Sequence, residues 1–113
     1  MSEKSRDEIW AAWTEKINMA PTELEDWLET EASKSVGDSN TGESTGHKSG
    51  RRIVEIKRTK KEDLTDDQWD HMAKVVGYIN QHCAQVPSDP KNSDWEKSLK
   101  NWGHDPFGKN GCA

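Results

Sequence analysis

The sequence predicts an all-α fold, a compact bundle of four to five helices around a long central helix. Apolar residues recur at three- and four-residue steps in several stretches, which is the spacing of amphipathic helices. The six tryptophans fall on apolar positions of these patterns, and their large buried areas offset a hydrophobic content of only 30%. With 113 residues, the chain is expected to form a single helical domain over residues 1–113.

The central helix is predicted between Thr65 and Gln85. Thr65 is a suitable N-cap, and Gln68 three residues later can complete a capping box. Pro87 and Pro90 prevent the helix from continuing. Its apolar stripe consists of Trp69, Met72, Ala73, Val76, Ile79 and Cys83.

Two shorter helices are predicted before it. Ser5 caps the first, which runs to about Met19, and Thr22 caps the second after Pro21. Because the link between them is short, they are expected to pack as a hairpin. The outer face of this hairpin is acidic.

The region 37–50 is polar and contains four glycines, so it is predicted to be a mobile Gly/Ser-rich loop. A third helix is expected over residues 51–61, and a last helix after Ser93 or Asp94. Gly103 suits the left-handed position that ends this last helix. Residues 104–113 are predicted to be a loose C-terminal tail.

Charge is concentrated in one segment. Residues 48–61 contain seven basic side chains and one acidic, a net +6, so the total of −5 leaves −11 (−5 − 6) for the rest of the chain. Such a segment is either a contact for a polyanion or an internal partner for acidic helices.

The first interpretation is binding of DNA or another polyanion. A glycine-rich approach to a helix N-terminus would expose backbone amides where the helix dipole favours an anion. The third and central helices could also form a helix-turn-helix. The predicted nucleic-acid-binding residues are His47, Lys48, Ser49, Gly50, Arg51, Arg52, Arg58, Lys60 and Lys61.

The second interpretation is a protein-interaction module without a nucleic-acid role. Arg51, Glu55, Arg58 and Glu62 would form a solvated, salt-bridged face of the third helix. The residues proposed to bind a partner form a second stripe on the central helix: His71, Val75, Tyr78 and His82. A metal pair on this stripe is excluded, because eleven residues separate its two imidazoles by about 16 Å along a helix.

The sequence predicts neither an enzyme nor a cofactor. It lacks the common zinc, phosphate-binding and nucleophile motifs, and His104-Asp105 is typical of a turn. No apolar run could cross a membrane, and the N-terminus does not resemble a signal peptide. Cys83 and Cys112 do not suggest a disulfide framework. We therefore expect a reduced protein of the cytoplasm or nucleus, without membrane or small-molecule partners.

Three stretches carry a resemblance to a known family: SVG…GESTGHKSGRRIVEI, LTDDQWDHMAKVVGYI and KNWGHDP. Together they resemble domain-of-unknown-function family 3140, from about Lys4 to Pro106. Some members of that family are labelled DNA-binding proteins, so the resemblance implies a DNA-related role. Members often carry basic residues where this chain has Asn80, Gln81 and Val86.

Overall fold

The computed structural model describes residues 5–34 and 45–112, and the predicted loop residues 37–44 lie outside these ranges. Within them the fold is all-α, as predicted. The helices are α1 (Arg6–Lys16), α2 (Pro21–Leu28), α3 (Glu31–Lys34), α4 (Thr45–Lys57), a short 3₁₀ helix (Lys61–Asp63), α5 (Asp66–Cys83) and α6 (Asp94–Asn101).

Two helix pairs organise the bundle. α1 packs along α5, α2 packs along α4, and α6 contacts α2, α4 and α5. The predicted hairpin of the first two helices is therefore wrong, because they pack on different partners. The physical reason lies in the link between them: Ile17 and Met19 are themselves buried in the core and direct the chain away from α1.

The core lies where α4, α5 and α6 meet. Ile53, Met72, Ile79 and Leu99 are fully buried there. Trp13, Trp69 and Trp102 also belong to the core, whereas the other three indoles are half-buried at its margin. This arrangement confirms the predicted apolar stripe of the longest helix, α5.

The predicted capping box of α5 is present. Thr65 Oγ1 accepts a hydrogen bond of 3.2 Å from the Gln68 amide, and Gln68 Oε1 accepts one of 2.9 Å from the Thr65 amide. Ser5 caps α1 in the same way through the Glu8 amide. The predicted Thr22 cap is wrong. Ala20 is the N-cap of α2, and Pro21 is its first residue because proline has no amide that needs a partner there.

Helix α4 differs most from its prediction. It begins at Thr45 instead of residue 51 and ends at Lys57 instead of residue 61, so residues 45–50 are helical and not part of a loop. Gly50 faces a close helix crossing, where an added Cβ would lie 2.5 Å from the Asn101 carbonyl oxygen and 2.8 Å from Leu28 Cδ2. This glycine is required by packing.

The end of α6 is a Schellman motif. Gly103 has a φ of 80°, which confirms its predicted left-handed conformation. Its amide donates to the Lys100 carbonyl at 3.0 Å, and the His104 amide donates to the Leu99 carbonyl at 3.0 Å. The motif turns the chain back so that His104 points into the protein.

The prediction of a loose tail at residues 104–113 is wrong for residues 104–112, the part of this segment that the structure describes. His104 and Pro106 are buried. The Asn18 side chain accepts from the Asp105 amide at 2.7 Å and donates to the Asp105 carbonyl at 2.8 Å. A hydrophobic pattern could not predict this segment, because polar side-chain contacts with distant backbone hold it.

The two cysteines are also placed differently from the prediction. Cys83 at the end of α5 and Cys112 form a disulfide, with Cα atoms 5.6 Å apart. The predicted reduced state of these cysteines is therefore wrong in this structure. Their pairing depends on the return of the C-terminal segment to α5, which a distance of 29 residues in sequence does not reveal.

None of the helices in the described ranges is both long and apolar enough to span a bilayer.

Candidate functional site on the fourth helix

Helix α4 presents a predominantly basic face to solvent. Because an α-helix has 3.6 residues per turn, four of its side chains and that of the next residue, Arg58, share its outer surface. All five are exposed. They are Lys48, Arg51, Arg52, Glu55 and Arg58.

Carboxylates of α2 lie along one side of this face. The Arg58 guanidinium donates two hydrogen bonds to Glu25, at 2.9 and 2.6 Å, in a bidentate pair. These hydrogen bonds lower the pKa of the Glu25 carboxyl and raise the pKa of Arg58. The predicted polyanion contact at Arg58 is thus already occupied by an acid of the same chain.

Carboxylates of α5 lie along the other side. Arg52 lines a shallow pocket of about 330 Å³ together with Asp67, Asp70, His71 and Lys74. Asp67 also lines the neighbouring pocket beside Glu55. The basic face of α4 therefore lies between two acidic rows, which we call the α2 row (Glu25, Asp26 and Glu29) and the α5 row (Asp67 and Asp70).

The predicted anion cradle before the third helix is wrong. Ser49 and Gly50 are buried within α4, and Ser49 Oγ lies 3.0 Å from His71 Nε2. His47 Nε2 donates to the Leu28 carbonyl at 2.7 Å, at the C-terminal end of α2. Since the helix starts at Thr45, the amides of residues 49–52 lie inside its hydrogen-bonded ladder and not at its N-terminus.

The last two predicted basic residues lie beyond α4. Lys60 and Lys61 are exposed. Lys61 Nζ is 5.1 Å from the centre of the Trp10 ring, in a cation–π contact with α1. Lys61 thus points towards α1.

A helix-turn-helix interpretation conflicts with the charges. In that motif the N-terminal residues of the second helix enter the major groove. The second helix here is α5, whose exposed N-terminal turns carry Asp66, Asp67 and Asp70. Three carboxylates at that position would be repelled by the DNA backbone.

The second predicted stripe, proposed to bind a partner, faces the interior of the bundle. Val75 is fully buried and His71 is 8% exposed. The Tyr78 ring stacks on Trp102 of α6, with centroids 3.9 Å apart, and on His82 at 4.1 Å. These contacts leave little of the stripe accessible to another protein.

His71 gives the protein an expected pH dependence. Burial, followed by the charges of Arg52 and Lys74, lowers the pKa of His71 to about 4, although Asp67 and Asp70 face the same pocket. An unfolded histidine titrates near 6.5. Between these pH values His71 binds more protons in the unfolded state than in the folded state. The stability that a neutral His71 contributes is therefore fully present above about pH 6.5 and is lost as the pH falls towards about 4.

Urea unfolding at pH 4, 5, 6 and 7 checks this prediction. The slope of the unfolding free energy against pH should be smaller for His71→Gln than for the wild type. The difference should correspond to up to about one proton. Gln81→Ala is the control, because it replaces an exposed side chain of α5 that does not titrate; its slope should equal that of the wild type. Equal slopes for wild type and His71→Gln would contradict the prediction.

A groove lies between α2 and α4, beside the α2 row. It measures about 650 Å³. Leu28 and Val54 form its apolar floor, while Asp26 and Glu29 stand on one side and Arg51 on the other. We call it the α2–α4 groove. Its lining is completed by Glu25, Lys34 and His47.

Residues 12–100 match the model of the family described as "Protein of unknown function (DUF3140)". The chain belongs to this family. The DUF3140 match extends from α1 through α6 and includes the basic face, both acidic rows and the α2–α4 groove. It ends before His104 and Cys112. No curated protein and no solved structure matches the chain.

Sequence reasoning identified the acidic face of the second helix as a possible partner of the basic segment, and the pair of Arg58 with Glu25 agrees with it. It missed the α5 row and the groove. The available signal was the excess of acids outside the basic segment. However, only the pairing of α2 with α4 shows which acids flank which bases.

Proposed function

We propose that this chain is a protein-interaction module that binds a segment of a partner protein in the α2–α4 groove, and that it has no nucleic-acid role. The observation that supports this proposal is the position of the basic face between the α2 and α5 rows. A surface with alternating rows of charge complements another protein with the opposite pattern.

Electrostatics favours this function over binding of a DNA duplex. An α-helix fits into the major groove with a phosphate backbone on each side. If α4 entered the major groove of DNA, Glu29 of the α2 row and Asp70 of the α5 row would approach the phosphates of the two backbones. Phosphate contacts supply most of the affinity for DNA, so like charges at both edges oppose binding.

The lining of the groove suggests the chemistry of its occupant. A basic side chain of the partner would lie against Asp26 and Glu29, and an adjacent apolar side chain would cover Leu28 and Val54. Exposed ion pairs contribute only about 0–1 kcal/mol each. The charges therefore select the partner and orient it. Because Leu28 and Val54 are only 4% and 6% exposed, the surface around the groove supplies most of the affinity.

A chemical-shift map tests the proposal. The ¹⁵N-labelled protein is titrated with a short peptide that contains one Arg-Leu pair among serines and glycines, and separately with a short DNA duplex. The peptide should shift the amide signals of Leu28, Glu29 and Val54, with little change in α5. The duplex should leave the signals of α4 unchanged at physiological ionic strength.

Matched double variants complete this experiment. Asp26→Asn/Glu29→Gln removes charge beside the groove and should weaken the response to the peptide. Asp67→Asn/Asp70→Asn removes the same charge from the α5 row and should leave that response unchanged. If the peptide shifts nothing, or shifts both variants equally, the proposed groove is not the binding site.

Binding of DNA or another polyanion is the competing proposal. Its support is the exposure of Lys48 and Arg52 on α4, with Lys60 and Lys61 beyond the helix. Duplex-induced shifts centred on these residues would favour it. The intracellular location and the lack of enzymatic activity stay predictions.

A further inference from the structure

Three side chains with metal-binding atoms meet at the C-terminal end of α5. The atoms are the sulfurs of Cys83 and Cys112 and a ring nitrogen of His104, and all lie within 4.8 Å of one another. The cysteines are half-buried and His104 is fully buried. Across residues 5–34 and 45–112, this is the one such group of three or more His, Cys, Asp or Glu residues.

His104 is oriented with one nitrogen towards the sulfurs. Its Nδ1 lies 2.6 Å from the Lys16 carbonyl oxygen. A carbonyl only accepts hydrogen bonds, so Nδ1 must carry a proton. In the neutral ring this leaves Nε2 without a proton. Nε2 then carries a lone pair, and it faces Cys83 Sγ at 3.8 Å.

The disulfide gives this lone pair no hydrogen-bond donor. A disulfide sulfur carries no proton, so a neutral His104 Nε2 and Cys83 Sγ are both acceptors. A thiol at Cys83 could donate to Nε2, and a metal ion could accept the lone pair. Histidine ligands of metals commonly have the arrangement seen here, in which the other ring nitrogen donates to a backbone carbonyl.

We propose that, when its disulfide is reduced, the chain binds Zn²⁺ through the thiolates of Cys83 and Cys112 and Nε2 of His104. Two sulfurs and one imidazole are a ligand set typical of zinc, with water in the fourth position. Neither family membership nor the proposed groove assigns this site. Cys83 lies inside the range matched by the family, and His104 and Cys112 lie beyond it.

The two states interconvert by a balanced exchange. Two equivalents of a thiol reductant transfer two electrons and two protons to the Cys83–Cys112 bond, which gives two cysteine thiols and the disulfide of the reductant. Zn²⁺ then replaces the two thiol protons, which are released to solvent. Oxidation by a disulfide of higher potential re-forms the Cys83–Cys112 bond and releases the ion.

The required movement is small. Bond lengths of about 2.3 Å to sulfur and about 2.0 Å to nitrogen place two sulfur ligands of a tetrahedral zinc about 3.8 Å apart, and a sulfur and a nitrogen ligand about 3.5 Å apart. The Cys83–His104 separation of 3.8 Å is close to this spacing. The two sulfurs must move apart, while Cys112 Sγ stays near the His104 nitrogen, from which it now lies within 4.8 Å. Cys112 can supply this movement, because the preceding residues 107–110 are exposed.

Cobalt substitution tests the proposal. The full chain is reduced with a phosphine, desalted without oxygen and titrated with Co²⁺, which reports tetrahedral thiolate coordination by visible bands and a sulfur-to-metal charge-transfer band. We expect one Co²⁺ per chain, displacement of Co²⁺ by Zn²⁺, and neither band in the oxidised protein. A reduced and folded chain that gives no such spectrum would overturn the proposal.

Variants identify the ligands. Cys112→Ala should roughly halve the charge-transfer intensity, because one of two thiolates is lost, and should greatly weaken binding. Because buried His104 also supports the fold, His104→Gln is interpreted only if its circular dichroism matches that of the wild type. His47→Gln removes an imidazole elsewhere and should not alter the titration. Unchanged spectra in Cys112→Ala would refute the assignment of that ligand and hence the proposal.

Discussion

Replacing Gly50 with alanine is expected to lower the free energy of unfolding by about 2–3 kcal/mol, which is typical of overpacking a close contact. The new Cβ would lie 2.5 Å from the Asn101 carbonyl oxygen, a backbone atom that cannot rotate away. It would also meet both terminal methyl groups of Leu28. Helices α2 and α6 would therefore have to move away from α4. Urea denaturation measures the loss.

Gly77→Ala is the matched control. Gly77 lies on the exposed side of α5, and an added Cβ would meet nothing within 4 Å. The substitution should stabilise the protein by up to about 1 kcal/mol, because alanine favours the helix more than glycine does. If Gly50→Ala were also stabilising, α4 would not cross its neighbours at Gly50, and its start at Thr45 would be in doubt.

Asn101→Ala is expected to cost about 3 kcal/mol, because it leaves several buried polar groups without partners. Asn101 is 2% exposed. Its Oδ1 accepts from Trp27 Nε1 at 2.7 Å and from Ser33 Oγ at 2.5 Å, and its Nδ2 donates to the Ser33 carbonyl at 3.1 Å. The single side chain thus joins α6 to both α2 and α3.

Thermal and urea unfolding of Asn101→Ala, with Asn80→Ala as its control, measure this effect. Asn80 is exposed on α5, so its replacement should change stability by less than about 0.5 kcal/mol. If the two variants had similar stability, the hydrogen bonds of Asn101 would contribute little, and apolar burial alone would hold α6 in place.

The sequence predicted those parts of the fold that depend on local chemistry. The capping box of Thr65 and Gln68 needs only a spacing of three residues. The left-handed conformation of Gly103 follows from the absence of a Cβ. The apolar stripe of α5 follows from the helical period. Each of these signals lies within a few residues of the feature that it predicts.

The errors arose where a residue has two physical uses. Gly50 was interpreted as a loop residue, although a glycine also permits two helices to approach closely. Asn18 and Asn101 had no apolar signal, yet their side chains hold the C-terminal segment and α6. For such residues, only the tertiary contact decides between the alternatives.

The candidate site was predictable only where its residues lie close together in the sequence. The basic residues of α4 are contiguous in sequence, so the sequence revealed them. The carboxylates beside them come from the α2 and α5 rows, which lie on either side of this segment in the sequence. Charge counting alone therefore left polyanion binding and pairing with acidic helices both open, and the positions of the acidic rows support the proposed protein partner.

We propose that the acidic rows prevent α4 from binding a polyanion. The most direct test is the salt dependence of binding to one DNA duplex, measured for the wild type and for a folded variant in which acids of both rows are neutralised. That variant is Asp26→Asn/Glu29→Gln/Asp67→Asn/Asp70→Asn.

We expect no binding of the duplex by the wild type at physiological salt. The neutralised variant should bind with a slope of log affinity against log salt of about 0.9 per phosphate contact. The opposite result would be measurable wild-type binding whose slope flattens by about 2 in Arg51→Gln/Arg52→Gln. That outcome would identify α4 as a nucleic-acid-binding helix and overturn the proposal.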